Sequence, residues 1–301
     1  MSRLFPDNIR KVGLFPLSLG TQNPVYIPTV EKRLAAWKVD YVLSLPEGGE
    51  YRFLAGTDKA RADSFNRLLA DESIDLLFAI RGGVGAVRTL PYIDWELLLR
   101  RNIPVVGYSD MTAFLLGALK QGFRNGYSGK MAESSFGAPG TSKRMLGVCA
   151  NTLCRCLEGT NISTPFKPHP KVLQAGKVKA PVVPVNLMLL ISLIGTPWLP
   201  DLSGTILVVE SIGQDAMQIE RNLTQLQQSG ILESLKGIVF ATFTNCNYGK
   251  YLPEIFRDYA AYVKGPAFYG FPFGHEEPAS VIKVGATATL EVTRDGAVRF
   301  E

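Results

Sequence analysis

Three polar side chains stand at the ends of otherwise apolar runs in this chain, and together they could carry out acyl transfer. Ser109 closes IPVVGYSD, Glu210 closes TILVVESIG, and His275 sits in the Pro/Gly-rich stretch FPFGHEEP, where a rigid loop can hold an imidazole. A serine hydroxyl is a weak nucleophile at neutral pH. It needs a neighbouring base, and the base needs a third group to fix its tautomer and support its positive charge. The chain holds only two histidines, so the base has one competitor, His169, in a proline- and lysine-rich segment. Taken singly, each residue also has a plainer reading: Ser109 as a turn or N-cap residue beside Asp110, Glu210 as a solvated strand-end acid, His275 as a loop histidine bonded to backbone.

Acyl transfer also needs donors aimed at the developing oxyanion, often backbone N–H groups where glycine allows close approach. Arg81-Gly82-Gly83-Val84-Gly85 follows the apolar run IDLLFAI and meets that need, with the amide of Gly82 or Gly83 cooperating with that of Asp110. Arg88 stands where a dinucleotide fingerprint requires glycine, and no GK[ST] ending follows, so neither nucleotide motif is satisfied. A purely structural glycine turn remains the alternative. VVGYSDM resembles a strand–turn–helix nucleophile elbow, although Met111 replaces the second glycine of the usual GxSxG.

The elements that must position these groups are legible as alternating patterns. Lys11 to Phe15, Tyr41 to Leu45, Asp75 to Ile80 and Ile103 to Tyr108 read as strands. Between them, Thr29 can cap VEKRLAAW, Thr57 can cap DKARADSFNRLLAD, and Asp110 can open MTAFLLGALKQG. Such alternation predicts right-handed βαβ units around a parallel sheet whose functional loops leave the carboxyl ends of the strands, where Ser109 lies. NISTPFKPHPKVLQAGKVK, residues 161–179, reads as a connector and places a domain boundary at residue 165, giving domains 1–165 and 166–301. The second half is expected to hold a buried helix from Asn186 to Ile194, then a strand Thr205 to Val209, a helix Ala216 to Gln228, a strand Gly237 to Ala241 and a helix Tyr251 to Val263. Strands follow at Val281 to Thr287, Thr289 to Thr293 and Ala297 to Phe300.

Composition excludes several classes. With 301 residues and 46% hydrophobic content the chain buries a substantial core. The net charge of +5, from 32 Lys and Arg against 27 Asp and Glu, is scattered instead of clustered, which argues against a nucleic-acid surface. Prolines interrupt the most apolar stretch, Ala180 to Trp198, so no membrane span is expected, and the N-terminus lacks a secretory pattern, pointing to the cytoplasm. Cys149, Cys154, Cys156 and Cys246 have neither a disulfide pattern nor zinc spacing, and His169 beside Cys154 and Cys156 lacks a fourth ligand, so they read as free thiols and no metal is expected.

Taken together, FAIRGGVGAVRTLPYIDW, IPVVGYSDMTAFLLGAL, LIGTPWLPDLSGTILVVESIGQDAMQIERNLTQL and FPFGHEEPASVIKVGATATL resemble the LD-carboxypeptidase family of serine peptidases, which includes murein tetrapeptide carboxypeptidases and microcin-immunity hydrolases. The resemblance spans nearly the whole chain. It implies an N-terminal parallel-sheet α/β domain related to amidotransferase-like folds, a smaller C-terminal α/β domain, and an active site at their interface, with no cofactor or metal. It assigns Ser109 as nucleophile, His275 as base, Glu210 as its orienting acid, and Asp110 with Gly83 as oxyanion donors. It implies a small murein peptide as substrate and a homodimer as assembly. Three segments depart from the family's pattern: Tyr127-Ser128-Gly129-Lys130-Met131 for His-Gly-Pro-Met, Pro184-Val185-Asn186-Leu187 for Gly-Gly-Asn-Leu, and Leu14-Phe15-Pro16-Leu17-Ser18 for Ala-Pro-Ser. A microcin-immunity-like amide hydrolase and a noncatalytic binder of a peptide or nucleotide-like ligand are the alternatives, and aromatic stacking by Trp198 or Tyr127 near the cleft would favour a nucleotide-bearing ligand.

Overall fold

The computed structural model describes residues 4–21, 23–134 and 136–301. Strands β1 (Lys11–Phe15), β2 (Asp40–Leu43), β3 (Leu76–Ala79), β4 (Val105–Gly107) and β5 (Gly126–Ser128) pair in parallel in the order β2-β1-β3-β4-β5. Their connections carry α1 (Tyr26–Ala36), α2 (Asp58–Ala70), α3 (Ala86–Thr89), α4 (Trp95–Arg101) and α5 (Met111–Lys120). Then come α6 (Lys143–Leu157) and the two-residue edge strand β6 (Ile162–Ser163).

The second half builds its own sheet from β7 (Lys171–Gln174), β8 (Gly176–Asn186), β9 (Ile206–Ile212), β10 (Gly237–Thr244) and β11 (Ala267–Tyr269). It is flanked by α7 (Leu187–Leu193), α8 (Ala216–Gln228), α9 (Ile231–Ser234) and α10 (Leu252–Ala260). The next strand, β12 (Val281–Lys283), leaves this sheet and inserts antiparallel between β5 and β6 of the first one, across the division drawn at residue 165. After the turn at Val284 and Gly285, β13 (Thr287–Val292) and β14 (Val298–Phe300) return to the second sheet, whose order is β14-β13-β8-β9-β10-β11-β7. Both sheets are mixed and helix-flanked, as expected of a two-domain α/β fold.

Several local expectations need correction. Thr29 lies inside α1 and its hydroxyl donates to Val25 O at 2.7 Å; the helix starts earlier, where Asn23 accepts from Val25 N. Thr57 does cap α2, accepting from Ala60 N at 3.3 Å. Asp110 precedes α5 without capping it, because its carboxylate turns inward. Much of the expected connector is strand, since β7 and β8 start at Lys171 and Gly176, and one expected strand, Val281 to Thr287, is split between two sheets. The helix α6 has no counterpart in the sequence reading.

One apolar core runs through both halves because α5, buried from Met111 to Ala118, faces α7, which is itself capped by Asn186. Phe15, Phe65 and Phe114 meet edge-to-face with centroids 4.9 and 5.1 Å apart. Removing the ring of Phe114 would cost about 3–5 kcal/mol. Trp198 packs on Trp95 at 5.9 Å, and Tyr127 is buried with its hydroxyl on Asn125, so both are packing groups.

Candidate active site

The sharp turn after β4 puts Ser109 in the left-handed region, at φ +61, and α5 begins two residues later. A non-glycine residue held there is strained, and the surrounding structure must over-determine it. Here the gain is exposure of the hydroxyl above the carboxyl end of the sheet. Glu210 sits in β9 with only 1% of its surface exposed, and His275 arrives on the loop after β11. The three side chains meet: His275 Nε2 lies 3.0 Å from Ser109 Oγ, and His275 Nδ1 lies 2.7 Å from Glu210 Oε2. Since a carboxylate only accepts, Nδ1–H donates to it, which leaves Nε2 free to accept from the serine hydroxyl.

The buried carboxylate is held on its other side as well. Asn186 Nδ2 donates to Glu210 Oε1 at 2.7 Å, while Asn186 Oδ1 accepts from Leu189 N at 3.3 Å and so starts α7. One residue therefore links the second sheet, a helix start and the acid. Among the contacts that fix the His275 loop, Thr242 Oγ1 donates to Phe273 O at 2.7 Å, Ser280 N donates to Pro272 O, and Lys130 Nζ donates to His275 O at 2.9 Å. Gly274, at φ +123, passes so close that a Cβ would stand 2.9 Å from Glu210 Oε2. Tyr108 lies against the imidazole with ring centroids 5.0 Å apart, and the Lys130 ammonium lies 5.0 Å over the same tyrosine. Burial pushes the Tyr108 phenol up, so it stays neutral, and burial lowers the pKa of Lys130 against the opposing pull of Glu277.

The glycine loop sits where oxyanion donors are needed. A Cβ on Gly82 would lie 3.0 Å from Ser109 Oγ and 3.2 Å from Asp110 N, and Gly83 adopts φ +116 with Leu19 packed against it. Asp110 contributes twice: its amide flanks Ser109, and its carboxylate accepts from Ser18 Oγ at 2.6 Å and from Ala86 N at 2.8 Å. Burial raises its pKa, opposed by those bonds and by Arg61. Arg61 is fully buried and donates to Gly85 O, Leu17 O and Gly56 O while paired with Asp58, so the Gly85 end of the loop is clamped to α2 and to the segment after β1. Among the described residues there is no cluster of three His, Cys, Asp or Glu side chains able to hold a metal. Among the described residues none of the four cysteines forms a disulfide.

Of the six residues singled out in the sequence, Ser109, His275, Gly82 and Gly83 line one cleft of about 370 Å³, while Glu210 and Asp110 are buried behind it, Glu210 against His275 and Asp110 next to Ser109. Asn186, Lys130, Arg61, Ser18 and Tyr108 were missed as parts of it. Ser18, Lys130 and Asn186 lie in the three segments that depart from the family's pattern, which was the available signal. Tyr108 and Arg61 carried none, since their roles depend on where the chain brings them.

Comparison with known proteins gives a consistent picture. Residues 12–129 match the LD-carboxypeptidase N-terminal domain and residues 179–290 match the LD-carboxypeptidase C-terminal domain. The murein tetrapeptide carboxypeptidase of Pseudomonas aeruginosa is 29% identical over 271 residues, covering 87% of each chain. The probable murein peptide carboxypeptidase of Bacillus subtilis is 30% identical over 261 residues, covering 83% of this chain and 79% of its own. Among solved structures, MccF in complex with glutamyl sulfamoyl guanosine superposes with a TM-score of 0.87 at 18% identity, covering 97% of this chain and 95% of that one.

Proposed function

We propose, from the premise that this chain belongs to the LD-carboxypeptidase family, that it is a serine carboxypeptidase which hydrolyses the L,D-peptide bond of murein peptides and releases their terminal D-alanine in the cytoplasm. The observation that carries this reading is the imidazole bridging an alcohol and an acid, at 3.0 and 2.7 Å, on the floor of the cleft. Ser109 Oγ attacks the scissile carbonyl as His275 Nε2 takes its proton, and the imidazolium is supported by Glu210. The oxyanion is received by the amides of Gly83 and Asp110, with Gly82 giving the close approach. Collapse of the tetrahedral adduct expels the amine, which takes the proton from His275. Water, deprotonated by the same imidazole, then frees the acyl group from Ser109.

The match to murein carboxypeptidases over most of both chains favours a peptide substrate. A nucleotide-bearing amide finds less support, because Trp198 and Tyr127 pack elsewhere. A noncatalytic binder would not need its serine strained and hydrogen-bonded to a histidine. Among the described residues no helix is long and apolar enough to cross a membrane. The expected homodimer is a question for light scattering. The deciding experiment compares D-alanine release from a murein tetrapeptide by the native protein and by Ser109→Ala, using mass spectrometry. Activity should vanish in the variant with folding intact, and full activity there would refute the nucleophile.

A further inference from the structure

We propose that Arg81, backed by Glu133, is the subsite for the free carboxylate of the leaving residue, so that the cleft selects peptides with an unblocked C-terminus. This deepens the hydrolase reading above and rests on it.

Arg81 leaves the carboxyl end of β3 one residue before Gly82, whose backbone lies against Ser109. Its guanidinium forms part of the cleft wall, and among the described lining residues it and His275 are the only basic ones. Lys130, the other nearby cation, is spent on His275 O and Glu277. Among the described residues Arg81 donates one hydrogen bond, Nη1 to Gly20 O at 3.1 Å, and its Nε stands 3.8 Å from Glu133 Oε2. A guanidinium has five N–H donors in a planar fork, so an edge remains for a two-pronged contact with a carboxylate.

Glu133 explains why a cation can stand in the cleft wall. Its side chain is 5% exposed, and the 3.8 Å separation from Arg81 is longer than a charge-assisted hydrogen bond, so the pair neutralises charge without saturating the fork. Among the described residues its second oxygen, Oε1, is buried with no hydrogen-bond partner, which leaves the pair unfinished by those groups. Burial raises the Glu133 carboxyl while Thr21 and Arg81 pull it down. The geometry suits a short leaving group. In a substrate that loses a single amino acid, the terminal carboxylate lies only three bonds from the attacked carbonyl carbon, and Arg81 is the neighbour of the residue backing the nucleophile.

The test uses Ser109→Ala protein, which binds without turnover, and calorimetric titration with the murein tetrapeptide and with its C-terminal carboxamide. The free acid should bind about ten- to a hundredfold more tightly than the amide, the range expected for charge-assisted hydrogen bonds. Adding Arg81→Met should bring the acid to the level of the amide, and Arg81→Lys should restore part of the preference. Equal affinity for acid and amide, no measurable affinity for either, or a preference that survives Arg81→Met would overturn the assignment. The acid–amide comparison needs no change at Arg81, so misfolding of that variant does not blunt it. Failure of the native enzyme to release D-alanine would instead sink the hydrolase reading and leave this binding result standing on its own.

Discussion

Glu210→Gln is the most informative single change in the triad, because Asn186 dictates how the new amide must face. Asn186 Nδ2 donates to Glu210 Oε1 at 2.7 Å, and the opposite oxygen receives His275 Nδ1 at 2.7 Å. An amide in that place has one acceptor and one donor end. Asn186 claims the acceptor, so the NH2 group is driven toward Nδ1, which must then accept. The imidazole proton moves to Nε2, and at 3.0 Å from Ser109 Oγ that nitrogen can no longer take the serine proton. Loss of the correct tautomer at such a site costs about 10⁴ in kcat, equivalent to about 5 kcal/mol of barrier. The assay is steady-state D-alanine release from the tetrapeptide, with circular dichroism melting as the control for folding. Adding Asn186→Asp replaces the competing donor by an acceptor, allows the amide to turn, and should recover about ten- to a hundredfold of the loss. A Glu210→Gln protein within tenfold of the native kcat would refute this account of the triad.

Three further outcomes follow from the same geometry. Gly82→Ala places a Cβ 3.0 Å from Ser109 Oγ, so kcat should fall about 10²- to 10³-fold, the scale of losing one oxyanion donor, with little change in thermal midpoint; normal kcat would show that the loop stands off the nucleophile. Lys130→Met removes the donor to His275 O, and loosening that loop should lower kcat about tenfold with KM nearly unchanged, given about 1–3 kcal/mol for an unpaired buried acceptor; unchanged kcat would remove Lys130 from the site. The Glu133 carboxyl is raised above its ordinary 4.5 by burial, so as pH climbs from that value the unfolded chain releases its proton first and the native state loses stability until its own group ionises. Glu133→Gln has no such proton and should gain stability relative to the native protein as pH rises through 4.5 in urea titrations. The opposite trend would show that attraction to Arg81 outweighs burial.

What the sequence disclosed, and what it hid, follows from the range of the interactions involved. Ser109, Glu210 and His275 were legible as a candidate cluster because each ends a local pattern, a strand or a stiff loop. The parallel strands of the first half were legible for the same reason. Arg61 and Asn186 were not, since an arginine in an amphipathic stretch reads as a solvated face, and nothing local indicates that its guanidinium will gather three carbonyls. Asn186 reads only as the start of a buried helix, which it caps, and its second task depends on β8 lying beside β9. The path of β12 escaped for a like reason: Val281 to Thr287 reads as one strand until the turn at Gly285, at φ +75, sends its two ends to different sheets.

That detour makes the chain's two ends mutually dependent. Three residues from beyond position 280 fill the slot between β5 and β6, so a fragment ending at residue 165 would carry two bare strand edges facing an empty groove. Such edges are templates for self-association. A truncated first half should therefore precipitate when expressed alone, and recover when a peptide spanning Ser280 to Gly285 is supplied in trans. The same stitch begins only six residues after His275, so the histidine loop is tied to the sheet that bears Ser109, and prying the halves apart would first have to unpick it.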